Sequence, residues 1–422
     1  MNALKLLLLV VAAFVFGRTT GWPVLDHVAL ASLAILLFTW LWSRSSLRGV
    51  TLRRLPAAER AQVGQTVTET LELRNAGRLA KLWVELDDAS TLPGHAAGRV
   101  VRIPGRAGVR WDVETWCVRR GRYRLGPATL RSGDPLGLFP TRQSDGESHE
   151  LVVYPAIVAP LSLPPPAGIL PGGSALDRRS LSVTPSVSGV RDYAPTDGFN
   201  RISWTASART GRLMVKEFDL DPTADVWIVL DLQHAAHLDA TRPLNLLPDA
   251  AGRWPLEAWL DSTLEYAVTI AASIAVHFLQ EGRNVGLIAT GSRLETLQPD
   301  RSDRQHLKIL EDLAVVEADG SAPLAEILAA EGRRFRRTDA VMVVTPSTEE
   351  GWVAAVAELA GRRVRTSAVL IEPDTFGPAP SSLLIVGSLL AAGIPSTLVK
   401  YGDPLGQTLG VVTASLPARS RR

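Results

Sequence analysis

Asp225-Val226-Trp227-Ile228-Val229-Leu230-Asp231-Leu232-Gln233-His234-Ala235 is the stretch on which the fold turns. Residues 226–231 read as a strand, and from there to the C-terminus strand and helix patterns alternate. Further strands are predicted at 285–290, 340–345, 366–372 and 396–401. Helical stretches fall at 256–280, 302–313, 324–331, 352–359 and 383–392. In the first of these, Leu260, Leu264, Ala267 and Ala271 recur at helical spacing. Its apolar part is too short for a bilayer span and carries Glu257, Asp261 and Glu265, so a buried core helix is expected. Alternating βα units over 225–422 predict an α/β domain with a mostly parallel sheet covered on both sides.

Working outward, residues 46–160 change character. Val67, Leu71 and Leu73 share one parity against Thr68, Thr70, Glu72 and Arg74, while Glu69 breaks the pattern. Trp111, Val113, Thr115 and Cys117 alternate in the same way with Asp112, Glu114 and Trp116. Period two means strands with one face buried, and several of them predict an all-β sandwich-like domain. Two loops stand out: Arg119-Arg120-Gly121-Arg122-Tyr123-Arg124-Leu125-Gly126-Pro127 and Ser132-Gly133-Asp134-Pro135-Leu136-Gly137-Leu138-Phe139. Asp-Pro followed by Gly is turn chemistry, with Phe139 pinning the loop to the core; a docking edge is the other reading. Residues 161–224 form a Pro- and Gly-rich connector followed by a charged, aromatic segment.

The N-terminal 45 residues hold two apolar runs. Leu4 to Phe16 is short for a span, whereas Val24 to Trp42 reaches the required length of about 20 residues. Pro23 suits the turn between them, and Trp22, Trp40 and Trp42 sit where interfacial aromatics belong. The short loop has only Arg18, while Arg44, Arg48, Arg53 and Arg54 follow the second run. The positive-inside rule therefore predicts a transmembrane hairpin in the inner membrane with both ends and the soluble domains facing the cytoplasm. A signal peptide over 1–16 is the rival, but Gly17-Arg18-Thr19 is a poor cleavage site.

At 422 residues the chain is long enough for two or three domains. Its 45 Lys and Arg nearly cancel 43 Asp and Glu, which argues against a nucleic-acid partner. Cys117 is the one cysteine, so no disulfide can form within the chain. There is no His-Glu-x-x-His, no Walker loop and no Gly-x-Gly-x-x-Gly after a strand.

The most informative segment is Gly189-Val190-Arg191-Asp192-Tyr193-Ala194-Pro195-Thr196-Asp197-Gly198-Phe199-Asn200-Arg201-Ile202-Ser203-Trp204, continued by Ala208-Arg209-Thr210-Gly211 and Val215-Lys216-Glu217-Phe218. It resembles the signature of the family called domain of unknown function 58. That pattern runs Gly-x-Arg-Glu-Tyr-x-Pro-Gly-Asp, Arg-x-Ile-x-Trp, Ala-Arg-Thr-Gly and Val-Lys-Glu-Phe. The two loops upstream, the hairpin and the C-terminal domain resemble the same family. Asp192 stands where the family has Glu, and Thr196 where it has Gly. The resemblance implies a membrane-anchored scaffold that accompanies a MoxR-type AAA+ ATPase in complex assembly or envelope maintenance, and not an enzyme.

Arg forks pair with carboxylates and stack on aromatic rings. The segment therefore reads as either an internal lock between domains or a docking surface. Because it leads directly into the first strand, its charges are expected near the exposed rim around Asp231. The partner-binding set is then Arg191, Asp192, Tyr193, Asp197, Arg201, Trp204, Arg209 and Asp231. No nucleophile–base pair stands out, so no catalytic residue is assigned.

Parallel sheets present their sites at the carboxyl ends of strands. The Asp231 loop resembles the von Willebrand A fold, where Asp-x-Ser-x-Ser helps hold a divalent metal. Here Gln233 and Ala235 replace the serines, and Val341-Met342-Val343-Val344-Thr345-Pro346 lacks the second Asp. No metal or cofactor is expected. The alternative is a metal-dependent hydrolase with Asp231, His234, His237 and Asp239 as ligands.

Overall fold

The computed structural model describes residues 2–56, 58–145, 147–159, 187–192, 202–218, 224–244, 246, 255–292 and 294–410. They form two compact units. The first comprises Met1–Ala156, Asn245–Trp259 and Leu310–Val315; the second comprises Ile157–Leu244, Leu260–Ile309 and Val316–Arg422.

The first unit opens with helices α1 (Asn2–Thr20) and α2 (Pro23–Ser46). Pro23 starts α2, where its fixed φ suits the first turn and no amide is lost. Gly17 permits the close approach of the two helices: a Cβ there would lie 3.0 Å from both Asp26 Oδ1 and Leu25 Cβ. Val10 of α1 packs with Ala29 and Leu36 of α2. Along the rest of α2, Val28, Leu30, Leu33, Leu37 and Leu41 are exposed, the inverse of a helix in water. Among the described helices, α2 is the one long and apolar enough to cross a bilayer.

Ten strands follow. They are β1 (Val50–Pro56), β2 (Arg60–Gln62), β3 (Thr66–Asn75), β4 (Lys81–Asp88), β5 (Arg99–Ile103), β6 (Gly108–Trp116), β7 (Gly121–Leu125), β8 (Ala128–Ser132), β9 (Thr141–Asp145) and β10 (His149–Tyr154). They pair as β1-β3-β6, β5-β4-β8-β9 and β2-β10-β7. The first two sheets share one core, in which Leu52, Leu71, Leu73 and Trp111 meet Val84, Leu86, Ile103 and Leu130. Period-two burial along β3 is strict and includes Glu69. Glu69 Oε1 lies 3.4 Å from Arg54 Nε, and the Arg54 guanidinium also pairs with Asp88. His95 Nε2 completes the cluster, 3.3 Å from Glu69 Oε2 and 3.6 Å from Asp88 Oδ2. The residue that breaks the apolar alternation is thus one half of a buried ion pair on the same inward face.

Both distinctive loops are tied down locally. Tyr123 donates its hydroxyl to the carbonyls of Arg119 and Arg120. Gly126 adopts φ +86°, and a Cβ there would meet Arg54 Nη1 at 2.5 Å, so the guanidinium needs a glycine beside it. The buried Asp134 carboxylate accepts from Leu136 N at 3.0 Å and Phe139 N at 2.6 Å, which is the expected turn chemistry. Cys117 is buried, and burial pushes its thiol up to about 11, keeping it protonated.

The second unit begins with β11 (Val187–Asp192), α3 (Trp204–Thr210) and β12 (Met214–Phe218), where β11 and β12 form an antiparallel ribbon. It continues with β13 (Val226–Asp231), α4 (Thr263–Gln280), β14 (Val285–Thr290), β15 (Leu294–Asp300), α5 (Asp303–Val315), whose residues from Leu310 belong to the first unit, and α6 (Leu324–Glu331). The last elements are β16 (Ala340–Thr345), α7 (Gly351–Gly361), β17 (Arg365–Ile371), α8 (Leu383–Ala391), β18 (Ser396–Val399) and α9 (Leu405–Thr408). The sheet order is β15-β14-β13-β16-β17-β18, parallel throughout except for β15 at one edge.

Every residue of β13, β14 and β16 is buried, as a sheet covered on both faces requires. One side is filled by Trp227, Val229, Val341 and Val343 against Leu328, Trp352, Val356 and Leu389. Two expectations need correction. The helix predicted over 256–280 divides into a short 3-10 turn at Leu256–Trp259 and α4. Ser262 caps α4 by accepting from Glu265 N, which ends any continuation upstream. The antiparallel strand β15 was not expected; its sequence Leu-Glu-Thr-Leu-Gln-Pro-Asp is too polar to signal a strand of a buried sheet, but an edge tolerates it.

Candidate functional site

The switch point of the sheet lies between β13 and β16, where chain connections leave in opposite directions. Asp231 ends β13 and is fully buried. Thr345 ends β16 and donates its hydroxyl to Asp231 Oδ2 at 2.6 Å, while Gln233 N donates to Oδ1 at 3.0 Å. Burial raises the Asp231 pKa above its ordinary value, with those two hydrogen bonds and the charge of His237 opposing. The expectation of Asp231 on an exposed rim is therefore corrected. The strand delivers its carboxylate inward, where a neighbouring strand supplies the donor.

The loop after β13 is pinned from below. His234 N donates to Gly320 O at 2.8 Å, and Gly320 N donates to Leu232 O at 3.0 Å. His237 donates from Nε2 to the Asp231 carbonyl at 2.9 Å and pairs through Nδ1 with Thr263 Oγ1 at 3.1 Å. His234 donates from Nδ1 to Ala318 O at 3.0 Å. Asp231, His234, His237 and Asp239 do not gather: no group of three or more His, Cys, Asp or Glu suited to a metal occurs among the described residues.

The donor set does not fit a hard cation either. Such an ion takes several oxygen ligands. Here both Asp231 oxygens accept from protein donors, Thr345 Oγ1 also accepts from Ser347 N at 2.9 Å, and Ala235 offers a methyl.

Above this latch lies a cleft of about 200 Å³, walled by Gln233, Ala235, Pro346, Ser347, Pro373 and Pro380. Glu349 lines it and is exposed, as are Asp239, Glu350 and Asp374 nearby in sequence. Sequence reasoning missed the proline-rich rim contributed by 373–380. Its signal was present in Glu372-Pro373 and Pro378-Ala379-Pro380, directly after the predicted strand.

The signature segment takes shape around the β11–β12 ribbon. Arg191 sits opposite Val215 and Asp192 opposite Met214. Ile202 bridges to Val215, and both are buried. Ser203 N donates to Met214 O and Met214 N to Ser207 Oγ, each at 2.8 Å, which seats α3 on β12. Gly211 in the left-handed region, φ 72°, ends the helix. Trp204 is 68% exposed and Arg209 is exposed. Tyr193, Asp197 and Arg201 lie outside the described residues. The segment enters β13 at Val226, the amino end, whereas Asp231 is at the carboxyl end.

Residues 189–375 match the family model described as Protein of unknown function DUF58. The DUF58 match runs from Gly189 in β11 to Thr375, and so contains the Asp231–Thr345 latch, most of the ribbon and the part of the cleft wall before Pro378. The chain is also 25% identical over 374 residues to the "Uncharacterized protein YeaD" of Bacillus subtilis (strain 168), covering 85% of each chain. Among solved structures, it is similar over 25% of its length to the CARDB domain of the PF1109 protein from Pyrococcus furiosus, covering 86% of that chain at 13% identity and a TM-score of 0.20. A cycloisomaltooligosaccharide glucanotransferase of Paenibacillus sp. aligns over 83% of this chain and 52% of its own at 11% identity and a TM-score of 0.17. Likeness at these TM-scores carries no argument.

Proposed function

We propose that this chain is a membrane-anchored interaction protein whose α/β unit is von Willebrand A-like and recruits a MoxR-type AAA+ ATPase, in complex assembly or cell-envelope maintenance. Its anchor is the α1–α2 hairpin in the inner membrane, with the soluble parts in the cytoplasm. The observation that carries the reading is the cleft at the switch point. Asp231, which ends the adjoining strand, is turned inward and tied to Thr345, while the cleft's rim presents prolines, small residues and the exposed Glu349. Such a surface has shape and charge for a basic protein segment and lacks a nucleophile held by a base. The sheet order, with β15 reversed at the edge and an acid ending the first strand, supports the von Willebrand A-like assignment. Exposed Trp204 and Arg209 supply the residue types that dominate interface energetics.

Affinity capture tests this. The full chain, extracted in detergent, is expected to retain a co-expressed MoxR-type ATPase, and Glu349→Lys with Asp374→Lys is expected to release it without lowering the melting temperature. Retention unaffected by charge reversal at this rim overturns the assignment of the cleft. No retention by the parent chain overturns the choice of partner.

A further inference from the structure

The Asp134–Phe139 loop is unusual in where it goes. Leu138 and Phe139 pack against the cluster of Val10, Ala29 and Leu36, the inward stripe of the two N-terminal helices. Phe139 O accepts from Ser43 Oγ at 2.5 Å, and Thr141 Oγ1 donates to Ser43 O at 3.1 Å. Leu36 precedes Ser43 by seven residues, about 10 Å along a helix axis. The loop therefore runs down the side of α2, past the level where Arg44 stacks on the Trp40 ring at 5.5 Å. On the other sides of those same turns, Leu37, Phe38 and Leu41 are exposed.

At the loop tip Leu136 is 61% exposed, with no polar side chain from Pro135 to Pro140. Leu79, Leu82 and Trp83 are also exposed, beside Trp42 at the mouth of a second cleft. An exposed apolar collar of this kind is costly in water. In hydrocarbon the cost falls on the backbone instead, because unpaired amides and carbonyls find no water there. This loop meets part of that demand, at the groups nearest Asp134 and Ser43. Pro135 and Pro140 have no amide hydrogen. Leu136 N and Phe139 N donate to the Asp134 carboxylate, Gly137 N donates to Asp134 O at 3.0 Å, and Phe139 O is taken by Ser43. The Asp134 side chain is itself buried beneath the turn.

We propose that the Asp134–Phe139 loop enters the bilayer alongside α2, with Leu136 among lipid acyl chains. The β-rich unit is then seated in the leaflet at a fixed depth instead of swinging on a tether. The inference rests on α2 spanning the membrane, and the experiment separates the two. Leu136→Cys, Leu33→Cys on α2 and Arg110→Cys on β6 are labelled, each in the full chain, with an environment-sensitive nitrobenzoxadiazole. Buried Cys117 stays in place, and unsubstituted protein measures its background labelling. The proteins are reconstituted into phosphatidylcholine vesicles containing lipid with a nitroxide on the acyl chain, and iodide is the aqueous quencher.

The Leu136 label is expected to lose emission to the nitroxide lipid to the same degree as the Leu33 label and to resist iodide, while the Arg110 label behaves oppositely. Loss at Leu33 but not at Leu136 overturns the inference and leaves the anchor standing. Loss at neither site overturns both. Protection of Leu136 from both quenchers means that protein covers it, which also overturns the inference. Leu136 is exposed, so its substitution removes no core packing; a Leu79→Cys label, expected at the interface and quenched by the same lipid, provides a second reading.

Discussion

Thr345 and Asp231, 114 residues apart in sequence, are joined by a 2.6 Å hydrogen bond across the carboxyl ends of adjacent parallel strands. That bond closes the switch point from below. It makes the acid that ends β13 a strap between β13 and β16.

The strap has a pH signature. Burial raises the Asp231 pKa above its ordinary 3.8. The native state then holds the proton more readily than the unfolded chain. The stability this contributes is complete below about 3.8 and is lost as pH rises through the raised value. Asp231→Asn cannot ionise, so thermal melts are expected to show its stability gaining on the parent across that window and levelling above it. Thr345→Val leaves a buried carboxylate oxygen without its donor and is expected to cost about 1–3 kcal/mol at neutral pH, and less in acid. A Thr345→Val melt equal to the parent at neutral pH would show the bond to be dispensable.

The buried cluster in the first unit makes a sharper stability prediction. Arg54 and Glu69 are both buried, with Asp88 and His95 beside them. Removing one partner strands the others, so Arg54→Ala is expected to cost about 3–5 kcal/mol. Arg54→Ala combined with Glu69→Ala is expected to cost less than the sum of the two single changes, measured as a double-mutant cycle by denaturant unfolding. Additive losses would show that the pair does not interact.

Docking and folding separate at α3. Trp204 is exposed, so Trp204→Ala is expected to leave the melting temperature unchanged while weakening ATPase capture. An aromatic anchor at an interface is worth about 2 kcal/mol, roughly thirtyfold in Kd. Capture at parental affinity by Trp204→Ala would place the contact elsewhere, and a fall in melting temperature would return the segment to a locking role.

Orientation is checked with a reporter. Arg44 in the last turn of α2, and Arg48 and Arg53 after it, are exposed. A fluorescent protein that matures only in the cytoplasm, fused after Arg422, is expected to glow. Activity of a periplasm-dependent reporter at the same position would reverse the topology.

Much of the second unit was legible because buried parallel strands are continuous apolar runs. β13, β14 and β16 fall on the predicted residues, and α6 matches its predicted span. β15 was hidden because an edge strand need not be apolar. Glu69 looked like an interruption because its partner Arg54 lies on another strand, and pairing across a sheet leaves no periodic trace. The site was legible in position but not in posture. The ends of parallel strands point to the cleft, but whether Asp231 faces outward depends on Thr345, a residue that no local pattern links to it. The proline-rich rim beyond β17 was likewise readable only once the sheet order placed it beside the Asp231 loop.

The Arg54 cluster also has a consequence in time. Synthesis delivers Arg54 eight residues after α2 ends at Ser46, but its carboxylate partner Asp88 lies 34 residues further along the chain. On the proposed anchoring, the nascent chain still lacks the partners that will bury this guanidinium when α2 enters the bilayer. It would then be a free, hydrated cation at the stage when orientation is chosen, and would disappear into the protein interior only later. On that proposal one arginine would serve twice in succession, first as a topogenic charge beside the emerging anchor and then as the centre of a core that seals behind it.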